Sequence, residues 1–152
     1  MATSPLLLFE RRKIMLKKTI TYEDYNGVER KEDHYFNLTK SEIVKMEGGV
    51  TGGYLEMLKR IINTNDTPAL MNVFEDLIRM SYGVKTPDGR GFDKNPAHFE
   101  AFKMTLAYDQ LFLELFGDAE KLSAFVVGLV PADLAKEIEK YDKNELMAQI
   151  NN

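Results

Sequence analysis

A turn signal at Tyr25-Asn26-Gly27 lies between two runs whose apolar residues fall on even positions, Leu16, Ile20 and Tyr22 before it and Val28, Phe36 and Leu38 after it. That alternation is the period of a strand with one buried face, and Thr19 and Thr21 fill the opposite face with β-branched polar groups. The turn must preserve parity. A two-residue Asn-Gly turn would set Leu16 opposite Asn37 and send the two apolar rows to opposite faces, so neither could be buried properly. A three-residue loop, Tyr25-Asn26-Gly27, with a type I turn and Gly27 left-handed as a bulge, sets Leu16 opposite Phe36 and brings both rows to one face. Asp24 and Asn26 suit the first and third positions of that turn. An isolated hairpin is marginal, so this one must pack on helices or pair with another copy.

The remainder reads as helix. Thr39-Lys40-Ser41-Glu42 has the spacing of a capping box and predicts a helix to about Glu47. The pairs Gly48-Gly49 and Gly52-Gly53 interrupt it, and Tyr54 to Ile62 resumes with Leu55, Leu58 and Ile62 on one face. Thr67-Pro68 gives a cap followed by proline at the first helical position, with Gly83 as the left-handed terminator. Between them Leu70, Phe74, Leu77, Ile78 and Tyr82 form one apolar stripe. Val84 to Asn95, with Pro87, Gly89 and Gly91, reads as an irregular loop between two long helices. Asn95-Pro96 opens a helix expected to run to Phe116, where Gly117 ends it. Met104, Leu106, Tyr108, Leu111, Phe112, Leu113, Leu115 and Phe116 cover most of the circumference of its second half, so it is central or covered by a partner. Asp118 can cap a further helix with Leu122, Phe125, Val126 and Leu129 inward, and Pro131 opens a polar-rich one through Tyr141.

The expected architecture is mainly α, an N-terminal β-hairpin followed by a compact bundle of about five to six helices. Residues 1–14 read as a flexible arm, residues 15–141 as one globular domain (hairpin 15–38, helical part 40–141), and residues 142–152 as a frayed tail.

At 152 residues, 44% hydrophobic and 29% charged, the chain has the composition of an ordinary globular domain, which excludes fibrous and wholly disordered classes. Its net charge of -4 gives no electrostatic reason to expect nucleic acid as partner. The run Leu6 to Phe9 is too short to span a bilayer and precedes, rather than follows, the cations Arg11, Arg12 and Lys13, so no membrane or export segment is read there. Cysteine is absent, which removes disulfides, thiolate metal sites and cysteine nucleophiles.

Catalytic patterns fail one by one. His34 and His98 stand in no metal-ligand spacing and read as surface or boundary residues. The Gly48 to Gly53 segment lacks the Lys-Ser/Thr of a phosphate loop and reads as a joint between helices. Asp88 to Asp93 misses the calcium-loop register, so it reads as a turn. Glu75 and Asp76 point to different sides of a helix and read as solvated faces, and Ser81 has no candidate base near it in sequence. We expect neither enzyme activity nor any cofactor or metal. What remains is apolar surface, and methionine-rich surfaces accommodate partners of several shapes. The candidate partner-binding residues are Phe92, Tyr108, Leu111, Phe112 and Leu115.

The run Tyr22-Glu23-Asp24-Tyr25-Asn26-Gly27, then Phe36-Asn37-Leu38, Ser81-Tyr82-Gly83, Asp88-Gly89 with Phe92, and Ala107-Tyr108 with Leu111-Phe112 resembles a family of tail assembly chaperones from long-tailed bacteriophages. Asp118-Ala119, Phe125, Gly128 and Pro131 continue the similarity. The resemblance implies a non-enzymatic protein of the infected host cytoplasm that binds the phage tape measure protein and keeps it soluble while tail tube protein assembles around it. Charge and patterning give no sign of a cofactor, nucleic acid or membrane, and a second copy of the chain is a further partner to consider. A structural component of the virion is the alternative reading, and a small hydrolase stands well behind both.

Overall fold

The computed structural model describes residues 15–64 and 66–129. Two strands, β1 (Leu16–Glu23) and β2 (Glu29–Phe36), open the chain as an antiparallel hairpin with Leu16 opposite Phe36 and Glu23 opposite Glu29. The expected register and loop are both present. Gly27 N–H donates to Asp24 O at 2.9 Å, Asp24 N–H donates to Val28 O at 2.8 Å, and Gly27 sits at φ +77°. Asp24 Oδ1 accepts from the amides of Asn26 and Val28, while its Oδ2 takes Arg30 Nε at 2.7 Å. This network holds the Asp24 carboxyl below its usual pKa, the Arg30 hydrogen bond contributing most. One member of the apolar row departs from expectation: Val28 is 51% exposed, because the buried row ends at Tyr22, whose partner Arg30 is itself exposed.

Six helices follow among the described residues: α1 (Lys40–Gly48), α2 (Tyr54–Asn63), α3 (Thr67–Ser81), α4 (Pro96–Lys103), α5 (Leu106–Phe116) and α6 (Ala119–Leu129). The Thr39/Glu42 capping box forms as read. The start of α3 is shifted by one residue, because the cap is Asp66, whose carboxylate accepts from Ala69 N–H at 3.2 Å, and Thr67 is already helical. Asn95 and Asp118 cap α4 and α6 through their side-chain oxygens.

The chain is not a pure helical bundle. Residues read as an irregular loop between Val84 and Asn95 hold most of a second hairpin, β3 (Tyr82–Lys85) and β4 (Phe92–Asp93), which extends the first into one four-stranded antiparallel sheet ordered β1-β2-β3-β4. Tyr82 pairs with Phe36 and Gly83 with Tyr35. Gly83 is therefore no left-handed helix cap. It is small because a Cβ there would lie 2.7 Å from the Phe92 ring and 2.8 Å from Asp93 O. Between the strands, Thr86 and Asp88 close a turn, with Thr86 Oγ1 donating to Asp88 Oδ1 at 2.7 Å and accepting from Gly91 N–H at 2.9 Å.

The helix expected to run unbroken from Asn95-Pro96 to Phe116 breaks at Met104-Thr105, where Thr105 turns extended (φ −95°, ψ 157°). Periodicity explains the break. At about 100° per residue, Phe102 and Leu111 would lie on opposite sides of a straight helix. Both are buried, so the axis must bend for both to reach the core.

That core joins the sheet to α3 through aromatic rings. Phe36 meets Tyr82, Phe102 and Phe125 at centroid distances of 5.4, 6.2 and 5.2 Å, and Phe125 reaches Phe74 at 6.2 Å. Leu38 N–H donates to Leu129 O at 2.7 Å, tying the end of α6 beside the start of α1. The arm 1–14, the helix read from Pro131 to Tyr141 and the tail 142–152 lie outside the described residues.

Candidate functional site

On α5 the residues four apart share a face, so Tyr108, Phe112 and Phe116 form one row, while Ala107, Leu111 and Leu115 form another. The second row faces the core and all three members are fully buried. Leu111 and Leu115, two of the five sequence-predicted partner-binding residues, thus support the row from beneath and present no surface. Tyr108, Phe112 and Phe116 are only partly buried. Phe112 and Phe116 stack within 3° of parallel at 5.5 Å, and Tyr108 lies 6.2 Å from Phe112. Phe74 on α3 backs the row at 5.8 Å from Phe112 and 6.3 Å from Phe116.

Phe92 stands apart. It lies on β4 against Gly83, with Lys94 Nζ 5.9 Å from its ring, whereas the ring neighbours of Tyr108 among the described residues are Phe99, Phe102 and Phe112. Exposed Met104 (73%) and Leu113 (64%) add apolar surface on α5 and just before it.

Charges stand at the Tyr108 end of the row. Arg79 bridges Glu75 at 3.3 Å and Asp76 at 2.8 Å, and Lys103 reaches Glu75 at 2.6 Å. Glu75 and Asp76, read as solvated faces, are thus held by one arginine. Burial, with the Glu75 charge adding to it, pushes the Tyr108 phenol up to about 12, so the phenol stays neutral at physiological pH.

A second apolar surface, an open groove of about 320 Å³ between α1, α2 and α3, was not foreseen. Met46, Val50, Met57, Val73 and Met80 line it, with Lys45, Asp76 and Arg79 among its polar lining. The Tyr54 hydroxyl there is buried without a hydrogen-bond partner among the described residues, and burial raises it to about 12. Methionines on successive elements were the sequence signal. They pointed to no particular face until the two glycine pairs had folded α1 and α2 together.

The histidines are structural contacts. His34 Nδ1 lies 3.0 Å from Tyr82 Oη, and its ring packs 4.4 Å from that of Phe102. Its Nε2 lies 3.4 Å from Glu32 Oε1, close enough for attraction but without hydrogen-bond geometry. His98 Nε2 pairs with Asp93 Oδ2 at 3.0 Å. Ser81 Oγ is spent on the carbonyls of Leu77 and Ile78, at 2.7 and 3.2 Å. Among the described residues no three His, Cys, Asp or Glu side chains are placed to hold a metal ion, and no helix is long and apolar enough to cross a membrane.

Residues 15–151 match the model of a family described as phage tail assembly chaperone. No curated protein and no solved structure matches the chain.

Proposed function

Because the chain belongs to the phage tail assembly chaperone family, we propose that it is a non-enzymatic chaperone of the host cytoplasm. It binds the tape measure protein of its phage and keeps it soluble until tail tube subunits cover it. The observation that carries this reading is the aromatic row on α5. Three consecutive aromatic positions on one helix face remain partly exposed, while the rings around Phe36 are buried. A long helical partner offers apolar stripes at the same spacing, so its ridge can lie along Tyr108, Phe112 and Phe116. Contiguous exposed apolar surface on a small protein marks such a contact.

The surrounding charges suit a transient complex. Glu75, Arg79 and Lys103 stand at the polar end of the row, where they orient a partner without adding much affinity. Growing tail tube can then displace the chaperone. Phe92 lies on a different element, apart from the α5 row.

Co-expression with the tape measure protein of the same phage tests this reading. The tape measure is expected to be soluble and to co-purify with the wild-type chain, and to precipitate when Tyr108→Ala and Phe112→Ala are combined. A tape measure equally soluble without the chaperone rejects the proposal. Retention of the chain in finished tails would support a virion component instead.

A further inference from the structure

Among the described residues β2 alone pairs with strand β1, which makes β1 the long edge of the sheet, and the opposite edge ends on the two residues of β4. The turn fixes which of its backbone groups are free. Asp24 and Val28 form a hydrogen-bonded pair, and such pairs alternate along an antiparallel ladder. The amides and carbonyls of Tyr22, Ile20 and Lys18 therefore point to β2, and those of Lys17, Thr19, Thr21 and Glu23 point outward. Among the described residues none of these four amides has a partner. The edge carries no proline and no bulge along its eight residues, the devices that commonly blunt such edges.

The outward residues are also self-complementary. When β1 meets a second copy antiparallel about a two-fold axis through Ile20, Lys17 falls opposite Glu23, Thr19 opposite Thr21, and Ile20 opposite itself. Three requirements coincide in this register. Every outward residue faces another outward residue, so both can exchange backbone hydrogen bonds. The polar faces and the helix-packed faces of the two sheets stay aligned, as period two demands. Opposite charges meet twice on the exposed face. Shifting by two residues in either direction sets Lys17 opposite Thr21, or Glu23 opposite Thr19, and loses the charge match. Lys17 and Glu23 have no ion-pair partner among the described residues, whereas Lys18 on the other face already reaches Glu114 at 3.6 Å.

We propose that two copies of the chain associate through β1 in this register, joining their sheets into one continuous eight-stranded sheet. The interface is isologous and closes on itself, so it produces a dimer that uses both long edges and ends on the two short β4 strands. Each dimer then carries two α5 rows, and a partner able to engage both gains avidity from the link. The inference concerns self-association alone and stands whether or not the tape measure is the partner.

Sedimentation equilibrium on the full chain is the test. The wild type is expected to be dimeric. Lys17→Glu sets like charges opposite each other at both symmetric positions, and about tenfold weaker dimerisation is expected from it or from Glu23→Lys. The double variant Lys17→Glu/Glu23→Lys restores the wild-type constant. Thr19→Pro removes an outward N–H and the exposed Thr19 Oγ1–Asp33 Oδ1 hydrogen bond while sparing the backbone bonds to β2, and is expected to be monomeric with an unchanged far-ultraviolet circular dichroism spectrum. If Thr19→Pro fails to fold, the charge series decides by itself. A chain monomeric at every concentration overturns the proposal. A dimer whose constant ignores both single reversals, or is not restored in the double variant, overturns it too.

Discussion

The molecule holds two groups of aromatic rings with the same chemistry and different surroundings. Around Phe36, the rings of Tyr82, Phe102 and Phe125 come from three other elements and are at most 8% exposed. Along α5, the Tyr108, Phe112 and Phe116 rings come from one helix, and among the described residues the rings that back them are Phe74 and those near Tyr108. Rings gathered from distant parts of the chain close on each other only when the fold is complete, so they report on stability. Rings in a row along one helix keep a partly exposed side among the described residues, and that side is the surface proposed to meet a partner.

Substitutions can break this contrast, and the largest effect is expected in the first group. Phe36→Ala and Phe125→Ala should each destabilise the fold by about 3 to 5 kcal/mol, read by urea denaturation. A cost near that of Phe112→Ala would erase the distinction between the groups. Next comes Gly83→Ala, whose added methyl must displace the Phe92 ring or the Asp93 carbonyl, at a cost of about 1 to 3 kcal/mol. An unchanged denaturation midpoint would show that β4 yields freely to its neighbour.

Tyr108→Ala and Phe112→Ala remove partly exposed rings, so each should cost only about 1 to 2 kcal/mol. Co-purification with the tape measure should be lost all the same. Full binding by either variant would move the partner contact elsewhere, the methionine-lined groove by Tyr54 being the next surface to test.

The smallest effect is a pH dependence within the first group. Burial lowers the His34 pKa from its ordinary 6.5, with the nearby Glu32 opposing the shift. The unfolded chain therefore takes up this proton at higher pH than the folded one. His34's contribution to stability is intact above about pH 6.5 and declines as pH falls below it. His34→Gln should flatten stability across that window. A decline of equal size in the variant would assign it to other groups.

Local rules carried parts of the fold to the correct residue. The hairpin register followed from parity and turn chemistry together, because period two demands an odd loop and the Asp24 to Gly27 turn residues select three. The capping box at Thr39 and the asparagine cap at Asn95 needed only neighbours within three residues. The second hairpin was legible in principle, since Pro87-Asp88-Gly89 is a turn signature between β-forming Tyr82 and Val84 on one side and Phe92 on the other. It was obscured because a glycine after a helical stripe has two readings, a left-handed cap or a close approach. The Phe92 ring, nine residues away, selects between them.

The candidate surface was only partly legible for a similar reason. Apolar residues all around α5 announced a crowded helix, but spacing could not say which side the sheet would occupy, and so Leu111 and Leu115 could not be told from Phe112. Recurring spacing and local hydrogen bonding were enough for the amino-acid sequence to settle the first hairpin, its turn and most helix starts, and its ordered motifs to indicate the family. Only the tertiary structure decided that the sheet has four strands, that the helix breaks at Thr105, and which α5 rings stay partly exposed. Each of those outcomes depends on contacts between residues far apart in the chain, which no local pattern encodes.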